Sequence, residues 1–427
     1  MPDLDLGTQV FDLVFNPKHD IVYTGLLSGH VKAFSYHDDG SCTPKFDVRA
    51  TKKTVRSLVV DSEGRELFSV SKDRSIHVID TSTGKVIREQ AQTHDSAINR
   101  VTHFMSMLAT GDDNGVVKLW DPRQLSPIRS YTHHFDYISD FLWFQDKKQL
   151  VTTSGDGTLS LIDVRSSKVE PFAHSEDQED ELLSVVSIKD GKKVAVGTQT
   201  GVISIWNRTS GWGDCVDRLK GHPHSVDALA SLSEDVIVTG SSDGLIRAVQ
   251  VLPNKLLGVI AGKSGDRLSV NKNMADPIVD HGTFPIERLR TDRNGAWLGS
   301  ASHDNILKMT DVRDALVDSD EEDSEKEGSD DLDAEEETGE LDEDSDSSSA
   351  TNDKGKLRED ENEESTNSDE SGSTTDQPEA HVSQPNSDSE LDQQLELAPS
   401  KKRKRKPHPG VPESKKGKVD TGFFDGL

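Results

Sequence analysis

Residues 108–123, LATGDDNGVVKLWDPR, join two short apolar strands through a turn rich in Gly, Asp and Asn and then reach the pair Trp120-Asp121. The arrangement recurs along the chain. Aligning the strand after each turn places Trp120 in one column with Phe34, Ile79, Ile162, Trp206, Val249 and Thr310. Successive members of this column are 45, 41, 42, 44, 43 and 61 residues apart. Self-similarity at such a period predicts seven stacked units that bury their apolar faces against one another.

The turns themselves favour tight β-hairpins. Gly and Asn tolerate the positive φ that such turns require, and Asp can accept hydrogen bonds from its own backbone. The flanking segments are short apolar or alternating runs, which is typical of strands buried between packed sheets. An Asp lies six residues before the column in four units, as Asp73, Asp156, Asp243 and Asp304, whereas Ser28, Asn114 and Thr200 hold this position in the other three.

These features resemble the WD repeat. The resemblance implies that residues 1–316 form an all-β, seven-bladed WD-repeat β-propeller, closed by pairing a short strand within residues 2–7 with the last blade. Only Trp120 and Trp206 fill the Trp column, so several blades depart from the pattern, and blades one, six and seven match it least. The family pattern also implies a structural role for histidines that precede the first strand of their units and bond the turn and the Trp column. These are His94, His174 and His222.

Charge separates this predicted domain from the rest of the chain. The 427 residues have a formal charge of −29, and residues 317–400 alone contain 32 acidic and only 4 basic residues. This stretch lacks the apolar surface needed to offset the entropy of ordering, which predicts a disordered acidic, Ser-rich linker. Ser319 and Ser329 lie in acidic runs that suit acid-directed kinases. The linker is interpreted either as a solvating spacer or as an arm for basic proteins such as histones or ribosomal proteins.

A basic tail follows in residues 401–427, with 9 basic and 3 acidic residues. It begins with the uninterrupted run Lys401, Lys402, Arg403, Lys404, Arg405 and Lys406. Such runs are usually nuclear import signals or nucleic-acid contacts, and import is favoured here over a merely soluble tail. No aromatic stacking platform accompanies the run, so contact with RNA is expected to be weak or indirect. Further on, the segment GFFDGL contains Phe423 and Phe424, which form either a docking peptide or a stretch without function.

The sequence predicts neither catalysis nor membrane association. It contains no GxxxxGK[ST] phosphate loop, no HExxH zinc motif and no GxSxG nucleophile elbow, so neither an enzyme nor a cofactor is expected. Cys42 and Cys215 lie in different units without metal-ligand spacing, which argues against a zinc site or a disulfide framework. No secretory signal and no apolar run of about 18 residues is present, so no membrane segment is expected.

Three units continue from the column through Asp to Arg. They read Trp120-Asp121-Pro122-Arg123, Ile162-Asp163-Val164-Arg165 and Thr310-Asp311-Val312-Arg313. The first is a full match to the WDxR box, and the second lies in the next unit, an arrangement that resembles substrate receptors of cullin-based ubiquitin ligases. That resemblance implies adaptor binding by Trp120, Asp121, Arg123, Asp163 and Arg165, for which the planar guanidinium fork is suited. The alternative is local, in which the Asp and the Arg brace their own turn.

Two further segments have an open interpretation. The long interval between Val249 and Thr310 places an insertion within residues 262–280, which is either a binding loop on a rigid scaffold or a tolerated solvent loop. An aromatic and acidic neighbourhood is expected to pack within strands and between blades. It consists of His133, His134, Phe135, Asp136, Tyr137 and Trp143.

The order of degenerate propeller, acidic linker, basic cluster and GFFDGL resembles the WD repeat-containing protein 55 family over the whole chain. That resemblance implies a nuclear protein, concentrated in the nucleolus and associated with ribosomal RNA production and ribosome biogenesis; plant members are described as ubiquitin-ligase receptors. We therefore expect a monomeric, non-catalytic scaffold that supports ribosomal RNA processing, with pre-ribosomal factors and an import receptor as partners. The alternatives are a cullin-ligase substrate receptor and a propeller that binds histones or chromatin.

Overall fold

The computed structural model describes residues 3–260, 270–271 and 281–313. The predicted acidic linker and basic tail lie outside this part of the chain. The same holds for the sites predicted within them, which are Ser319, Ser329, Lys401, Lys402, Arg403, Lys404, Arg405, Lys406, Phe423 and Phe424.

The described residues form short β-strands joined by turns. In chain order they are β1 (Leu4–Asp5), β2 (Val10–Phe15), β3 (Ile21–Leu26), β4 (His30–Tyr36), β5 (Cys42–Arg49), β6 (Val55–Val60), β7 (Glu66–Ser71), β8 (Ile76–Asp80), β9 (Val86–Gln90), β10 (Ile98–Phe104), β11 (Met107–Asp112), β12 (Val117–Asp121), β13 (Ser126–Tyr131), β14 (Ile138–Phe144), β15 (Gln149–Ser154), β16 (Leu159–Asp163), β17 (Ala173–His174), β18 (Leu182–Ile188), β19 (Lys193–Thr198), β20 (Val202–Asn207), β21 (Asp217–Lys220), β22 (Val226–Ser231), β23 (Val236–Ser241), β24 (Ile246–Gln250), β25 (Lys255–Ile260), β26 (Val270–Asn271), β27 (Ile286–Thr291), β28 (Trp297–Ser302) and β29 (Ile306–Asp311).

Hydrogen-bonded ladders arrange these strands into seven antiparallel sheets, or blades. Blade 1 is β2–β5, blade 2 is β6–β9, blade 3 is β10–β13, blade 4 is β14–β17, blade 5 is β18–β21, blade 6 is β22–β26, and blade 7 is β27–β29 with β1. The first strands of successive blades contact one another in a ring from β2 to β27 and back to β2. The prediction of a seven-bladed WD-repeat β-propeller is confirmed.

The ring closes through the N-terminal strand. β1 pairs antiparallel with β29, with Leu4 opposite Leu307 and Asp5 opposite Ile306. The closure implied by the family resemblance is therefore confirmed, although β1 contributes only two residues. The pairing covers the outer edge of β29, which would otherwise present unpaired backbone groups.

The sequence column is also a column in space. In every blade its member lies on the third strand and is paired with the residue twelve positions earlier. The pairs are Val22 with Phe34, Leu67 with Ile79, Leu108 with Trp120, Leu150 with Ile162, Val194 with Trp206, Ile237 with Val249, and Leu298 with Thr310. All seven column side chains are buried. Loss of the Trp in five blades therefore leaves the strand register unchanged.

Each first strand also carries a β-bulge at one place, and in six of the seven blades the residue after the bulge makes a polar contact with the next blade. Between blades 1 and 2, Ser57 Oγ donates a 2.8 Å hydrogen bond to Asp12 Oδ2. The next four junctions, from blades 2 and 3 to blades 5 and 6, are also joined by hydrogen bonds. The donors and acceptors are Val101 N to Ser57 Oγ, Arg100 Nε to Ser139 O, Val185 N to Asp140 Oδ2, and Ser184 Oγ to Val226 O. Polar links thus join neighbouring blades around the inner ring.

The junction between blades 7 and 1 contains a buried ion pair. Arg288 Nε lies 3.3 Å from Asp12 Oδ1, and the two side chains are 1% and 2% exposed. Asp12 also accepts a 2.7 Å hydrogen bond from Leu58 N in blade 2. One carboxylate therefore links three blades, and its removal would leave the Arg288 guanidinium buried without compensation.

The connections between strands define two faces. Turns between the first and second strands, and between the third and fourth, lie at one end of the blades, which we call the lower face. Turns between the second and third strands, and the loops between blades, lie at the upper face. Arg123 and Arg165 follow β12 and β16, so both belong to the lower face.

Blade 6 has a fifth strand. β26 pairs with β25, with Asn271 opposite Val259 and Val270 opposite Ile260. The insertion predicted at residues 262–280 therefore extends the outer edge of a blade at these two positions and is not a loop there. Its other residues lie outside the described part of the chain.

Candidate interaction surface

Trp120 belongs to a buried hydrogen-bonded network in blade 3. Its Nε1 donates to Thr110 Oγ1 at 2.7 Å. Thr110 Oγ1 lies 2.7 Å from His94 Nε2, and His94 Nδ1 lies 2.9 Å from an Asp112 oxygen. Burial lowers the pKa of His94, which favours a neutral ring that accepts from Thr110 and donates to Asp112. Trp120 is 2% exposed, so it supports the surface from within the blade.

Other blades hold only parts of this network. In three blades a Ser or Thr lies ten residues before the column residue, as Thr110 does in blade 3. The column residue of these blades is apolar and cannot donate a hydrogen bond, and the Ser or Thr hydroxyl has no hydrogen-bond partner. These residues are Thr24, Ser69 and Thr152. Blade 5 has the opposite defect: Trp206 is fully buried and its Nε1 has no partner, because Val196 stands where blade 3 has Thr110. An orphaned buried polar group costs about 1–3 kcal/mol.

The structure confirms one of the three predicted histidines in full. His94 bonds as described, whereas His222 keeps only a 2.8 Å contact of Nε2 with Thr239 Oγ1 in blade 6, and its Nδ1 has no hydrogen-bond partner in the turn. The prediction for His174 is wrong. It lies in β17, the fourth strand of blade 4, where its Nε2 is 3.3 Å from Thr158 Oγ1. The long connection between β16 and β17 moves His174 into a strand, away from the loop before blade 5.

Two histidines hold this place in other blades, a role that was not predicted for them from the sequence. His134 Nδ1 lies 3.1 Å from Asp156 Oδ2, and His281 Nδ1 lies 2.6 Å from Asp304 Oδ2. Each histidine precedes its Asp by 22 or 23 residues, a spacing that could have identified both. In blade 3 the acceptor is Asp112 and not the residue six before the column.

The residue after the column caps the turn on the lower face. Asp121 Oδ1 and Asp163 Oδ1 each accept a 3.0 Å hydrogen bond from the backbone N of the Arg two residues on. The Arg123 guanidinium also forks onto Asp121, with Nε to Oδ1 and Nη2 to Oδ2 both at 3.0 Å. Arg165 binds Asp163 in the same way, at 3.0 and 2.7 Å. These contacts hold the pKa of each Asp below its usual value.

Bracing of the turn leaves both arginines accessible. The side chains of Arg123 and Arg165 are 79% and 65% exposed. Nε and Nη2 are engaged by the Asp, whereas Nη1 has no partner among the described residues. The structure therefore places the two predicted Asp–Arg pairs in neighbouring blades, on one face, with guanidinium donors directed to solvent.

Exposed apolar side chains are concentrated in one sector of the propeller. The described residues include nine exposed large apolar side chains, and seven of these lie in the outer strands or in the turns of the lower face in the consecutive blades 2 to 5. We call these seven the apolar arc: Val86, Ile87, Met105, Ile128, Val169, Phe172 and Val216. Arg123 and Arg165 lie in its two middle blades. Scattered exposed apolar residues need no explanation, but a sector enriched in them marks a candidate interaction surface.

The aromatic neighbourhood before blade 4 packs as expected, with two exceptions. His134 is buried, Tyr137 Oη donates to Glu181 at 2.9 Å, and Trp143 stacks on Phe104 with ring centroids 4.3 Å apart. The prediction is wrong for Phe135, which is 90% exposed on the upper face, and for its neighbour Asp136, which is also exposed.

Other chemistry is sparse in this part of the chain. The described residues contain no group of three or more His, Cys, Asp or Glu that could hold a metal ion. None of them forms a helix long and apolar enough to span a membrane. Burial raises the pKa of the Cys42 thiol to about 11, which keeps it protonated at neutral pH.

Comparison with known proteins gives the family. The model described as WDR55 matches residues 1–315. The chain belongs to the WDR55 family. WD repeat-containing protein JIP5 of Laccaria bicolor is 49% identical over 350 residues, which cover 77% of this chain and 79% of that protein. WD repeat-containing protein 55 of Arabidopsis thaliana is 37% identical over 319 residues, 74% of this chain and 83% of that protein. Its namesake in Rattus norvegicus is 33% identical over 321 residues, 74% and 78% of the two chains.

Family membership confirms the resemblance drawn from the sequence. WD-repeat propellers are typically non-catalytic scaffolds that bind through their surfaces. The lower face, with two accessible guanidinium groups and the apolar arc around them, is the candidate surface for that role in this member of the family.

The defect in blade 5 leads to a stability prediction. Val196→Thr supplies an acceptor for Trp206 Nε1, at the place where Thr110 accepts from Trp120 in blade 3. Pairing the buried donor should raise the free energy of unfolding by about 1 kcal/mol. Urea denaturation followed by Trp fluorescence measures the change.

Val194→Thr is the matched control, because Val194 is equally buried on the same strand and is paired directly with Trp206. A hydroxyl there lacks the geometry of blade 3 and should destabilise the protein by about 1–3 kcal/mol. Equal loss of stability in both variants would show that the Trp206 donor does not need this partner.

Proposed function

We propose that this protein is a nucleolar interaction scaffold that supports ribosomal RNA processing. The observation that supports the scaffold role is the closed ring, which holds two faces in fixed geometry and exposes Arg123, Arg165 and several apolar side chains in neighbouring blades. A rigid stacked-repeat body with an enriched surface sector is suited to holding partners together. Family membership supports the assignment, since the resemblance implies ribosome biogenesis as the setting.

The composition of the C-terminal region supports the cellular setting. Residues 401–406 form an uninterrupted basic run, which is typical of an import signal. The acidic residues 317–400 would repel nucleic acid and attract basic proteins, as ribosomal proteins are. Direct RNA binding is therefore expected to contribute little, and pre-ribosomal proteins are the proposed partners.

A second candidate function is favoured by the geometry of the two Asp–Arg pairs. Arg123 and Arg165 are exposed on one face of neighbouring blades, as a substrate receptor of a cullin-based ubiquitin ligase would require. The free Nη1 groups could bond carbonyl or carboxylate oxygens of an adaptor. The two functions differ in their dependence on these guanidinium groups.

Affinity purification from cells separates the two functions. The tagged wild type is compared with Arg123→Ala/Arg165→Ala, and co-purifying proteins are quantified by mass spectrometry. The scaffold proposal predicts the same pre-ribosomal proteins at equal abundance in both. Recovery of a cullin adaptor that disappears in the double variant would establish the receptor function in its place.

Arg313→Ala is the control for loss of an Asp–Arg contact within a turn, because Arg313 binds Asp311 in the same manner in blade 7. A partner that depends on the lower face of blades 3 and 4 is kept by Arg313→Ala. Loss of the same partner from both variants would indicate a general effect on the turns and not a contact with blades 3 and 4.

The import assignment is tested by location. Deleting residues 401–406 removes six positive charges from a segment outside the propeller and should leave folding intact. Fluorescence microscopy should then show the tagged protein moving to the cytoplasm. Replacing Lys415, Lys416 and Lys418 is the control for charge alone; nuclear retention after the deletion would rule the import assignment out.

A further inference from the structure

The junction between blades 6 and 7 differs from the other junctions of the inner ring. Elsewhere the residue after the bulge makes a polar contact with the next blade, as Ser184 Oγ does with Val226 O between blades 5 and 6. Blade 6 has Ala228 at this position, and its methyl side chain cannot form such a contact. Apolar packing joins the two blades instead, since one buried cluster contains Ala228 of blade 6 with Ile286 and Leu289 of blade 7.

Two carboxylates lie beside this apolar contact. Asp227 and Glu287 are the bulge residues of β22 and β27, the first strands of blades 6 and 7, and these two strands pack against each other. Both side chains are partly buried. Like charges on the two sides of a packed junction repel, and partial burial strengthens the repulsion because less water screens it.

The surroundings of Asp227 place its ionisation near neutral pH. Burial raises the pKa of its carboxyl to about 7, and the charge of Glu287 adds to the rise. Ser225 Oγ, which donates a 3.0 Å hydrogen bond to Asp227 Oδ2, opposes the rise, as does His303, whereas Asp243 favours it. A carboxyl with the ordinary pKa of about 3.9 would stay ionised throughout the neutral range.

The basic groups on the neighbouring strands are engaged elsewhere. The two arginines of β27 act on carboxylates of blades 1 and 4. Arg247 forks onto Asp243, with Nη1 and Nη2 at 3.1 and 2.6 Å from the two carboxylate oxygens. β18 and β23, which also pack against β22, contain no charged residue, and Lys193 of β19 lies at the lower end of its blade. Among the described residues, no Lys or Arg forms an ion pair with Asp227.

His303 ties the second carboxylate to the same pH range. Its Nε2 lies 2.9 Å from Glu287 Oε1. The hydrogen bond with Glu287 raises the pKa of His303, and the charge of Asp227 acts in the same direction. A protonated His303 offsets the charge of Glu287. A rise in pH removes this positive charge and also gives Asp227 its negative charge.

We propose that the junction of blades 6 and 7 is a pH-sensitive seam of the ring, which loosens as Asp227 loses its proton and repels Glu287.

The direction of the effect follows from the protons that each state holds. An unfolded chain releases the Asp227 proton near about pH 4, whereas the folded chain keeps it up to about pH 7. The free energy of unfolding therefore falls as pH rises between these two values. His303 acts in the same direction, because its stabilising proton is lost as pH rises through its raised pKa. Both groups thus weaken the seam between pH 6 and pH 8.

The inference goes beyond the proposed function, since it concerns a conformational property of the propeller and involves no partner. Purified protein tests it without cellular factors. Failure of the nucleolar proposal and failure of the seam are therefore distinguished.

The first experiment is hydrogen–deuterium exchange on the purified full-length chain at pH 6 and pH 8. After correction for the intrinsic effect of pH on exchange, residues 226–231 and 286–291 should exchange about tenfold faster at pH 8. This factor is expected for a carboxyl that titrates near pH 7 when folded and near pH 4 when unfolded. Asp227→Asn keeps the shape of the side chain without its charge, so exchange should stay slow at both pH values.

The junction of blades 2 and 3 is the internal reference. It is joined by the hydrogen bond from Val101 N to Ser57 Oγ, so residues 55–60 and 98–104 should show no such change. Equal acceleration in all seven first strands would overturn the proposal, and so would acceleration in β22 and β27 that persists in Asp227→Asn.

Two further variants separate the repulsion from a general effect of charge. Glu287→Gln removes the facing charge and should lower the pH at which exchange in β22 and β27 accelerates. Asp47→Asn is the matched control, because Asp47 Oδ1 also lies beside a histidine, 2.6 Å from His30 Nδ1, but in the outer strands of blade 1. It should leave the response of the seam unchanged; a response that shifts with Asp47→Asn and not with Glu287→Gln would contradict the assignment.

Urea denaturation gives an independent measurement. The gain in stability of Asp227→Asn over the wild type should grow from pH 6 to pH 8, because only the wild type acquires the repulsion. A difference that is the same at both pH values would show that Asp227 does not titrate in this range and would refute the seam.

Discussion

Closure of the ring is the constraint on which the rest of the structure depends. A blade of this kind buries its faces only against its neighbours, so blade 1 needs blade 7, and the two come from opposite ends of the described chain. β1 pairs with β29, the buried Asp12 and Arg288 lie 3.3 Å apart, and one apolar cluster contains both Phe15 and Trp297. These contacts leave no blade with a free face, and they fix the positions of the turns at both ends of the propeller.

A closed ring tolerates imperfect blades. Blade 3 has the full chain from Trp120 through Thr110 and His94 to Asp112, whereas blade 5 leaves the Trp206 donor unpaired. Both blades nevertheless have the same register. The buried column and the links between inner strands fix the geometry, while the internal network adds stability. Turn residues on the lower face are not needed for the closure of the ring, and the side chains of Arg123 and Arg165 stay exposed while they brace their turns.

The fold could be predicted because its sequence patterns are local. Features that depend on contacts between distant residues could not be predicted. The repeat period, the hairpin turns and the Trp120 column are local, so they gave the blade number and the positions of Arg123 and Arg165. Exposure is not local. The apolar arc joins residues from four blades, and no sequence window contains it. His174 was misplaced because the length of the connection before β17 decides whether it lies in a strand or a loop. The hydrogen bonds of His134 and His281 were not predicted because their Asp partners are more than 20 residues away in the sequence.

The most direct measurement is native-state hydrogen exchange on the chain lacking residues 1–7, compared with the full chain. If closure holds the propeller together, the amides of all seven first strands should lose protection to a similar extent, in blades 3 and 4 as much as in blades 7 and 1. Loss confined to blades 7 and 1, with full protection retained in β10 and β14, would show that the blades stand without the closed ring and would contradict the account.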